Sequence, residues 1–263
     1  MLPMRLMKRQ SSDAASARQP VPTWLRGLWR RRSIEYPDGR RDDTTVVYWL
    51  QAESAFADIR IPGHRPDLRA RGGLTGLSEE ERAALALQAG FAGWTELTGD
   101  RCRWHRTIDY QPPSGVPDEG RLRLHDSVLI EEGVHDPYVE VWEPIECNVQ
   151  LGPADIATVR PTCVAHHTEA SGRRESLVVC GDVFIYARDR ATALPQAVSL
   201  EALVRAAAGR PSELVHLLDC EISFGLCRGG RVPWEIRLST LPFREGGGLA
   251  TAESGEIAHG SSG

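Results

Sequence analysis

The sequence has almost no lysine. Lys8 is the only one among 263 residues and lies outside the regions that we predict to be folded, whereas arginine is abundant. Schiff-base and pyridoxal-phosphate enzymes, P-loop proteins and protein kinases each require a lysine placed in the folded core. We therefore exclude these classes. The composition, rich in alanine and arginine, also indicates a GC-rich bacterial genome.

Long apolar runs and paired cysteines are missing as well. No stretch approaches the roughly 18 apolar residues of a membrane span, and residues 1–8 lack the apolar core of a signal peptide. No C-x-x-C pair occurs among the cysteines, which argues against a zinc ribbon or a thioredoxin motif; they are Cys102, Cys147, Cys163, Cys180, Cys220 and Cys227. We predict a cytoplasmic protein without membrane contact whose cysteines are reduced and mostly buried.

The charge of the chain argues against nucleic acid as a partner. The formal net charge is −5, whereas a general nucleic-acid binder normally carries a basic domain. The basic residues near the start of the chain stand among serine, alanine, glutamine and proline. We predict disordered tails over residues 1–22 and over the glycine- and serine-rich residues 246–263.

The first half of the chain reads as short strands interrupted by one helix. Residues 24–51 predict a hairpin around the turn Pro37-Asp38-Gly39. Ser78 and Glu81 form a capping box that begins a helix. The remaining strands are predicted at residues 56–61, 93–97, 102–110, 122–131 and 138–142.

The second half repeats much of this order at an offset of roughly 130 residues. Residues 167–174 correspond to residues 34–41, and residues 183–188 correspond to residues 56–60. Ser199 predicts the start of a second helix whose apolar residues, Leu200, Leu203, Val204 and Ala207, share one face. Strands are predicted at residues 215–227 and 234–241. The shared order indicates duplication.

Many short strands with polar turns predict a mainly β protein of two tandem antiparallel β-barrels, each with one short helical insertion. We place the first barrel at residues 23–150 and the second, related barrel at residues 151–245. An eight-stranded barrel leaves room for one small ligand or is filled by its own side chains.

Polar and aromatic residues are concentrated on the strands of the first barrel. By alternation, Val139 and Val141 share one face of their strand, while Tyr138, Glu140 and Trp142 share the other. If this second face points inward, it lines a ligand cavity; in the alternative, the valines form the core and the polar groups face solvent. The candidate ligand-binding residues are Asp58, Arg60, Trp104, His105, Arg106, Glu131, Tyr138 and Trp142, with Glu140 and His135 orienting polar groups.

Three alternatives to simple ligand binding follow from the same residues. His135, Glu140 and Asp109 are candidates for acid–base catalysis of an isomerase, dehydratase or cyclase type. A scaffold with both barrels filled is the second alternative. A metal site near His105 and His135, or a haem held by one histidine, is the third, but no H-x-H or H-E-x-x-H spacing supports a metal. We predict a cofactor-free, metal-free protein that binds a small, partly apolar molecule.

Several of these motifs also resemble a known family. The segment from Trp104 to Asp109, the pair Glu132-Gly133 and the pattern Tyr138-x-Glu140-x-Trp142-Glu143-Pro144 are similar to the Hri family, named for a budding-yeast protein that interacts with a casein kinase. The resemblance is strongest over residues 24–144. It implies a fold of two lipocalin-like barrels and no established reaction. No interaction motif that would imply the kinase partner stands in this sequence.

Overall fold

The computed structural model describes residues 18–146, 163–170, 173–227 and 234–249. These residues are mainly β and form a closed eight-stranded antiparallel barrel and a second antiparallel sheet. The predicted mainly β, barrel-forming fold class is confirmed. No helix among these residues is long and apolar enough to cross a bilayer.

The barrel uses nearly the whole first half of the chain. Its eight strands are β1 (Gly27–Glu35), β3 (Val46–Gln51), β4 (Ala55–Ile61), β5 (Ala89–Thr98), β6 (Arg101–Asp109), β7 (Asp118–His125), β8 (Val128–Gly133) and β9 (Val139–Ile145). Each strand pairs with the next, and β9 pairs back to β1, which closes the barrel. The short strand β2 (Arg41–Asp42) pairs only with β1, at the hairpin containing Pro37-Asp38-Gly39.

The structure divides one predicted strand into a hairpin. Residues 122–131 read as a single strand, but β7 ends at His125 and β8 begins at Val128. Asp126 and Ser127 between them have φ of 45° and 68°. Two left-handed residues form the tight turn that suits a two-residue hairpin. The prediction was wrong here because neither residue is glycine, the usual signal for such a turn.

The second sheet has five strands among the described residues. They are β10 (Cys163–Ala170), β11 (Arg173–Cys180), β12 (Val183–Arg188), β13 (Glu221–Leu226) and β14 (Glu235–Ser239), paired in that order. The residues that correspond between β4 and β12 follow the same pattern. Phe56, Asp58 and Arg60 alternate along β4 as Phe184, Tyr186 and Arg188 alternate along β12.

Three α-helices lie between the strands in the described part of the chain. The capping box of Ser78 and Glu81 begins α1 (Glu79–Ala86), as predicted, and Ser199 caps α2 (Leu200–Ala206). An unpredicted third helix, α3 (Pro211–Leu218), replaces the start of the strand expected from residue 215. Pro211 at the first helical turn is the signal for it, because proline is favoured at that position.

The two sheets pack back to back through the outer face of the barrel. Ala57, Ile59 and Ile61 of β4 lie in one apolar cluster with Val183, Ile185 and Ala187 of β12. Tyr48 of β3 stacks on Phe224 of β13 with 4.4 Å between ring centroids. The opposite face of β4, which carries Asp58 and Arg60, therefore points away from the second sheet and into the barrel.

Tryptophans fill the interior of the barrel. Trp49 meets Trp104 and Trp142 edge to face at 5.7 and 5.6 Å between centroids, and Trp29 stacks on Trp49 at 6.4 Å. The void that Trp49, Trp104 and Trp142 line together with charged side chains such as Asp58 and Glu131 is about 10 Å³, roughly enough for one water molecule. Because edge-to-face aromatic packing is favourable and specific, this cluster fixes the barrel's core.

The structure corrects some predictions about the thiols and the chain ends. Cys180 is disulfide-bonded, so the prediction of reduced cysteines is wrong at this position; Cys102 and Cys220 are free and buried. Within the predicted tails, Val21 and Leu249 are buried in apolar clusters. Residues 1–17 and 250–263, and the predicted boundary at residue 150, lie outside the described residues.

Candidate ligand-binding site

The polar face of β9 points into the barrel. Glu140 and Trp142 are buried, whereas Val139 is 40% exposed. Tyr138 on the same face is half-buried and donates its hydroxyl to Glu131 on β8. The alternative in which the valines form the core is therefore excluded. Asp58 on β4 joins the same interior, because the alternation in β4 turns its apolar neighbours toward the second sheet.

Glu140 is the most deeply buried carboxylate of this interior, at 1% exposure. Its Oε1 accepts hydrogen bonds from Arg31 Nη1 at 2.6 Å and from Arg60 Nη1 at 3.3 Å. Arg60 also donates to Asp58 Oδ1 at 2.9 Å. Glu140 Oε2, although buried, has no hydrogen-bond donor. A buried carboxylate oxygen without a donor is costly, so this atom is an acceptor that the chain itself leaves unpaired.

Glu131 lies beside Glu140 and holds its proton tightly. Tyr138 Oη donates to Glu131 Oε1 at 2.6 Å, and Trp142 Nε1 donates to Oε2 at 3.2 Å. Burial, and next the charge of Glu140, raise the pKa of Glu131 well above its usual value. Burial likewise raises the pKa of Asp58. The uncharged form is thus favoured at Glu131.

Arg106 forms the other side of the site. Its Nε and Nη2 donate to Asp118 Oδ2 at 2.9 and 2.7 Å, and its Nη1 donates to Asp109 Oδ2 at 3.0 Å. The guanidinium carbon lies 3.6 Å from the centroid of the Phe91 ring, a cation–π contact. Burial raises the pKa of Asp109. Arg106 is therefore held by two carboxylates and one ring.

A cavity of about 670 Å³ opens above these charged groups at one end of the barrel; we call it the mouth cavity. Its apolar lining consists of Ile34, Tyr36, Pro37, Pro137 and Tyr138, and its charged lining of Asp38, Arg40, Arg60, Arg106, Asp118, Asp136 and Glu140. Trp104 and Trp142 lie below it in the packed core. The predicted residues thus fall into two groups, one in the packed core of the barrel and one lining the open, charged mouth cavity.

The two candidate histidines lie on the outer surface of the barrel. His105 stacks on Trp94 at 3.6 Å between centroids and contacts Glu96 Oε2 through Nε2 at 3.0 Å. Because His105 adjoins the inward Trp104, alternation places it outside. His135 contacts Glu119 Oε2 at 2.9 Å, on the outward face of β7. The structure therefore brings neither histidine to the mouth cavity.

The predicted acid–base trio is consequently not assembled. His135 pairs with Glu119 on the outside, Glu140 faces inward, and Asp109 binds Arg106. Within the described part of the chain, no group of three or more histidine, cysteine, aspartate or glutamate side chains is arranged to hold a metal ion.

Arg31 and Asp118 are site residues that the sequence analysis missed. Arg31, at 8% exposure, anchors Glu140 and also donates to Asp42 Oδ2 at 3.1 Å. Strand alternation could have identified Arg31, because it lies on the same face of β1 as the inward Trp29, but a bulge in β1 after Arg31 interrupts the pattern. Asp118 begins β7 and follows a loop rich in proline, so no periodicity marked it.

Comparisons with known proteins bear on the fold alone. No known family and no curated protein matches the chain. The solved structure of an uncharacterized protein of Saccharomyces cerevisiae, YLR301w, is similar with a TM-score of 0.51 at 12% identity, over 81% of this chain and 84% of that chain. A lipocalin-like protein of Bacteroides uniformis is similar with a TM-score of 0.30 at 17% identity, over 46% of this chain and 99% of that chain.

The chain is thus a mainly β protein with a closed eight-stranded antiparallel barrel joined to a second antiparallel sheet. The yeast structure shares this fold over most of both chains.

Proposed function

We propose that the first barrel binds a small, partly apolar molecule in the mouth cavity. The observation that carries the proposal is Glu140, which lines a cavity of about 670 Å³ and has a buried Oε2 without a donor. This volume is within the usual range of small-molecule pockets. Arg31 holds the carboxylate in place with a hydrogen bond of 2.6 Å, so a ligand meets a group that is already oriented.

The packed tryptophans narrow the proposal to one end of the barrel. The void between Trp49, Trp104 and Trp142 holds no more than about one water molecule. Inside the barrel, a molecule of ten or more heavy atoms therefore fits only in the mouth cavity, above these tryptophans. The tryptophans then form the base of the cavity and hold Glu131 and Glu140 in place. The apolar part of the ligand lies against Tyr36 and Tyr138.

The test is native mass spectrometry of the purified protein, together with ligand-observed NMR on a library of small aromatic compounds. We expect either a co-purified adduct or library hits that bind the wild type and are lost in Glu140→Gln. Glu132→Gln is the matched control, because Glu132 neighbours Glu131 on β8 but pairs with the surface residue Arg123. Binding that survives in Glu140→Gln, or no binder by either method, contradicts the proposal.

We also propose that the chain belongs to the Hri family and that its two units arose by duplication. The resemblance of residues 104–109 and 138–144 to that family supports the first point, as does a fold shared with a budding-yeast protein. The matching patterns of β4 and β12 support the duplication.

A cytoplasmic location and a bacterial origin remain proposals from the composition, and the disulfide at Cys180 weighs against the cytoplasmic location. Fractionation of the native host tests the location.

A further inference from the structure

The mouth cavity has a surplus of hydrogen-bond acceptors. Its lining holds three arginines and four carboxylates, and each arginine is already bound within the chain. Arg40 donates to Asp38, Arg60 to Asp58 and Glu140, and Arg106 to Asp109 and Asp118. These pairs leave no lining arginine unpaired to receive an anion from outside.

Not every acceptor of the mouth cavity is paired with a donor from the chain. Glu140 Oε2 is buried without a donor, and Asp136 at the rim makes no ion pair among the described residues. Asp58 behind the lining adds a further carboxyl group. A cavity with acceptors to spare and no unpaired cation attracts donors and positive charge, because a cleft lined by an excess of one sign of charge focuses its field on the opposite charge.

We infer that the ligand of the mouth cavity is a cation, a protonated amine attached to an aromatic or otherwise flat apolar group. This inference rests on the proposed function and specifies the class of molecule that it takes. The ammonium group would bind Glu140 Oε2, and the apolar group would lie between Tyr36, Pro37 and Pro137.

Arg60 is the side chain that such a ligand displaces. Its bond to Glu140 is 3.3 Å long, against 2.6 Å for that of Arg31, and its side chain is 25% exposed against 5% for Arg31. Turning Arg60 aside opens the way to Glu140 while Arg31 keeps the carboxylate in position. Arg60 therefore competes with a bound cation, whereas it would assist a bound anion.

This competition gives a test in which the two ligand classes predict opposite results. The probes are tyramine, tyrosol and 4-hydroxyphenylacetate, which share one phenol ring and carry an ammonium, a hydroxyl and a carboxylate group. Titration calorimetry at pH 7 is expected to rank tyramine at least tenfold tighter than 4-hydroxyphenylacetate. Glu140→Gln should weaken tyramine binding about tenfold or more, and Arg60→Met should tighten it severalfold.

Each outcome decides the inference. Tighter binding of the carboxylate, with loss in Arg60→Met, overturns the cation while leaving the mouth cavity a ligand site. Failure of all three probes overturns the inference too, and the adduct and library measurements then decide alone whether the cavity binds anything. Circular dichroism confirms folding of the variants, and the ranking of probes on the wild type stands without them.

Discussion

Glu131 and Glu140 lie directly opposite each other on β8 and β9, and both side chains are buried inside the barrel. Opposed residues on paired strands have Cβ atoms about 4.5–5.5 Å apart, so two charged carboxylates at these positions repel strongly. The site resolves this by keeping a proton on Glu131, whose pKa burial and the charge of Glu140 raise well above its usual value. Glu140 remains the partner of Arg31 and Arg60.

The proton on Glu131 makes stability depend on pH. An unfolded glutamate releases its proton near pH 4.3, whereas the folded protein holds it to a higher pH. Between those values the folded state binds more protons, so the free energy of unfolding falls as pH rises. Glu131→Gln keeps the shape of an uncharged carboxyl group but does not titrate. It should therefore flatten the fall in the free energy of unfolding, measured with urea between pH 4.5 and 8. Glu132→Gln should keep the wild-type slope; an unchanged slope in Glu131→Gln contradicts the assignment.

Removing one ring of the tryptophan cluster should destabilise the barrel strongly. Trp142 is 1% exposed, packs against Trp49 and donates to Glu131. Trp142→Ala should lower the free energy of unfolding by about 3–5 kcal/mol, through lost contacts and the cavity left behind. Trp24→Ala, at a position 37% exposed, should cost much less. If chemical denaturation gave equal losses of unfolding free energy in the two variants, the tryptophans would not form a packed core.

Arg190 joins the barrel to the helices of the second unit. It is 4% exposed and donates to Leu217 O in α3 at 2.7 Å, and to Asp109 O and Tyr110 O at 2.9 and 2.7 Å. Arg190→Met leaves these carbonyls without donors and should cost about 3 kcal/mol. Arg190→Lys should recover only part of this loss, because an ammonium lacks the planar fork. Full recovery by lysine, measured by thermal unfolding, contradicts this role.

Gly133 sets the position of Tyr138. A Cβ at this residue would lie 2.1 Å from Asp136 O and 2.5 Å from Tyr138 Cε1. Gly133→Ala should therefore displace the loop before β9, break the hydrogen bond from Tyr138 to Glu131 and cost about 1–3 kcal/mol. Gly99→Ala, where no atom lies within 4 Å of an added Cβ but φ is +62°, controls for backbone strain alone. A Tyr138 fluorescence or NMR signal unchanged in Gly133→Ala argues against this constraint.

Alternation along single strands predicted which residues of the site share a face, but it left open which face points inward. Tyr138, Glu140 and Trp142 shared a face in the sequence, and the structure places that face inside the barrel. The same rule excludes His105, because its neighbour Trp104 points inward, although the sequence analysis kept both. Periodicity in one strand says nothing about what a neighbouring strand presents, so the pairing of His135 with Glu119 was not predictable.

The filling of the barrel also lay beyond the sequence. Strand alternation shows which residues face inward, but the interior volume depends on how eight strands close and tilt together. Trp29 and Trp49 meet only because β1 and β3 pair in register. For the same reason Arg31 reaches Glu140 across the closure of β1 on β9, more than a hundred residues away in the chain.

The two faces of β4 constrain how this protein can evolve. Ile59 and Ile61 hold the second sheet, while Asp58 and Arg60 serve the mouth cavity. Inserting or deleting one residue in β4 would exchange the faces, placing charges in a dry contact and isoleucines at the cavity. Lineages can therefore substitute residues along this strand but cannot change its length, and insertions should accumulate instead in exposed turns such as residues 69–72.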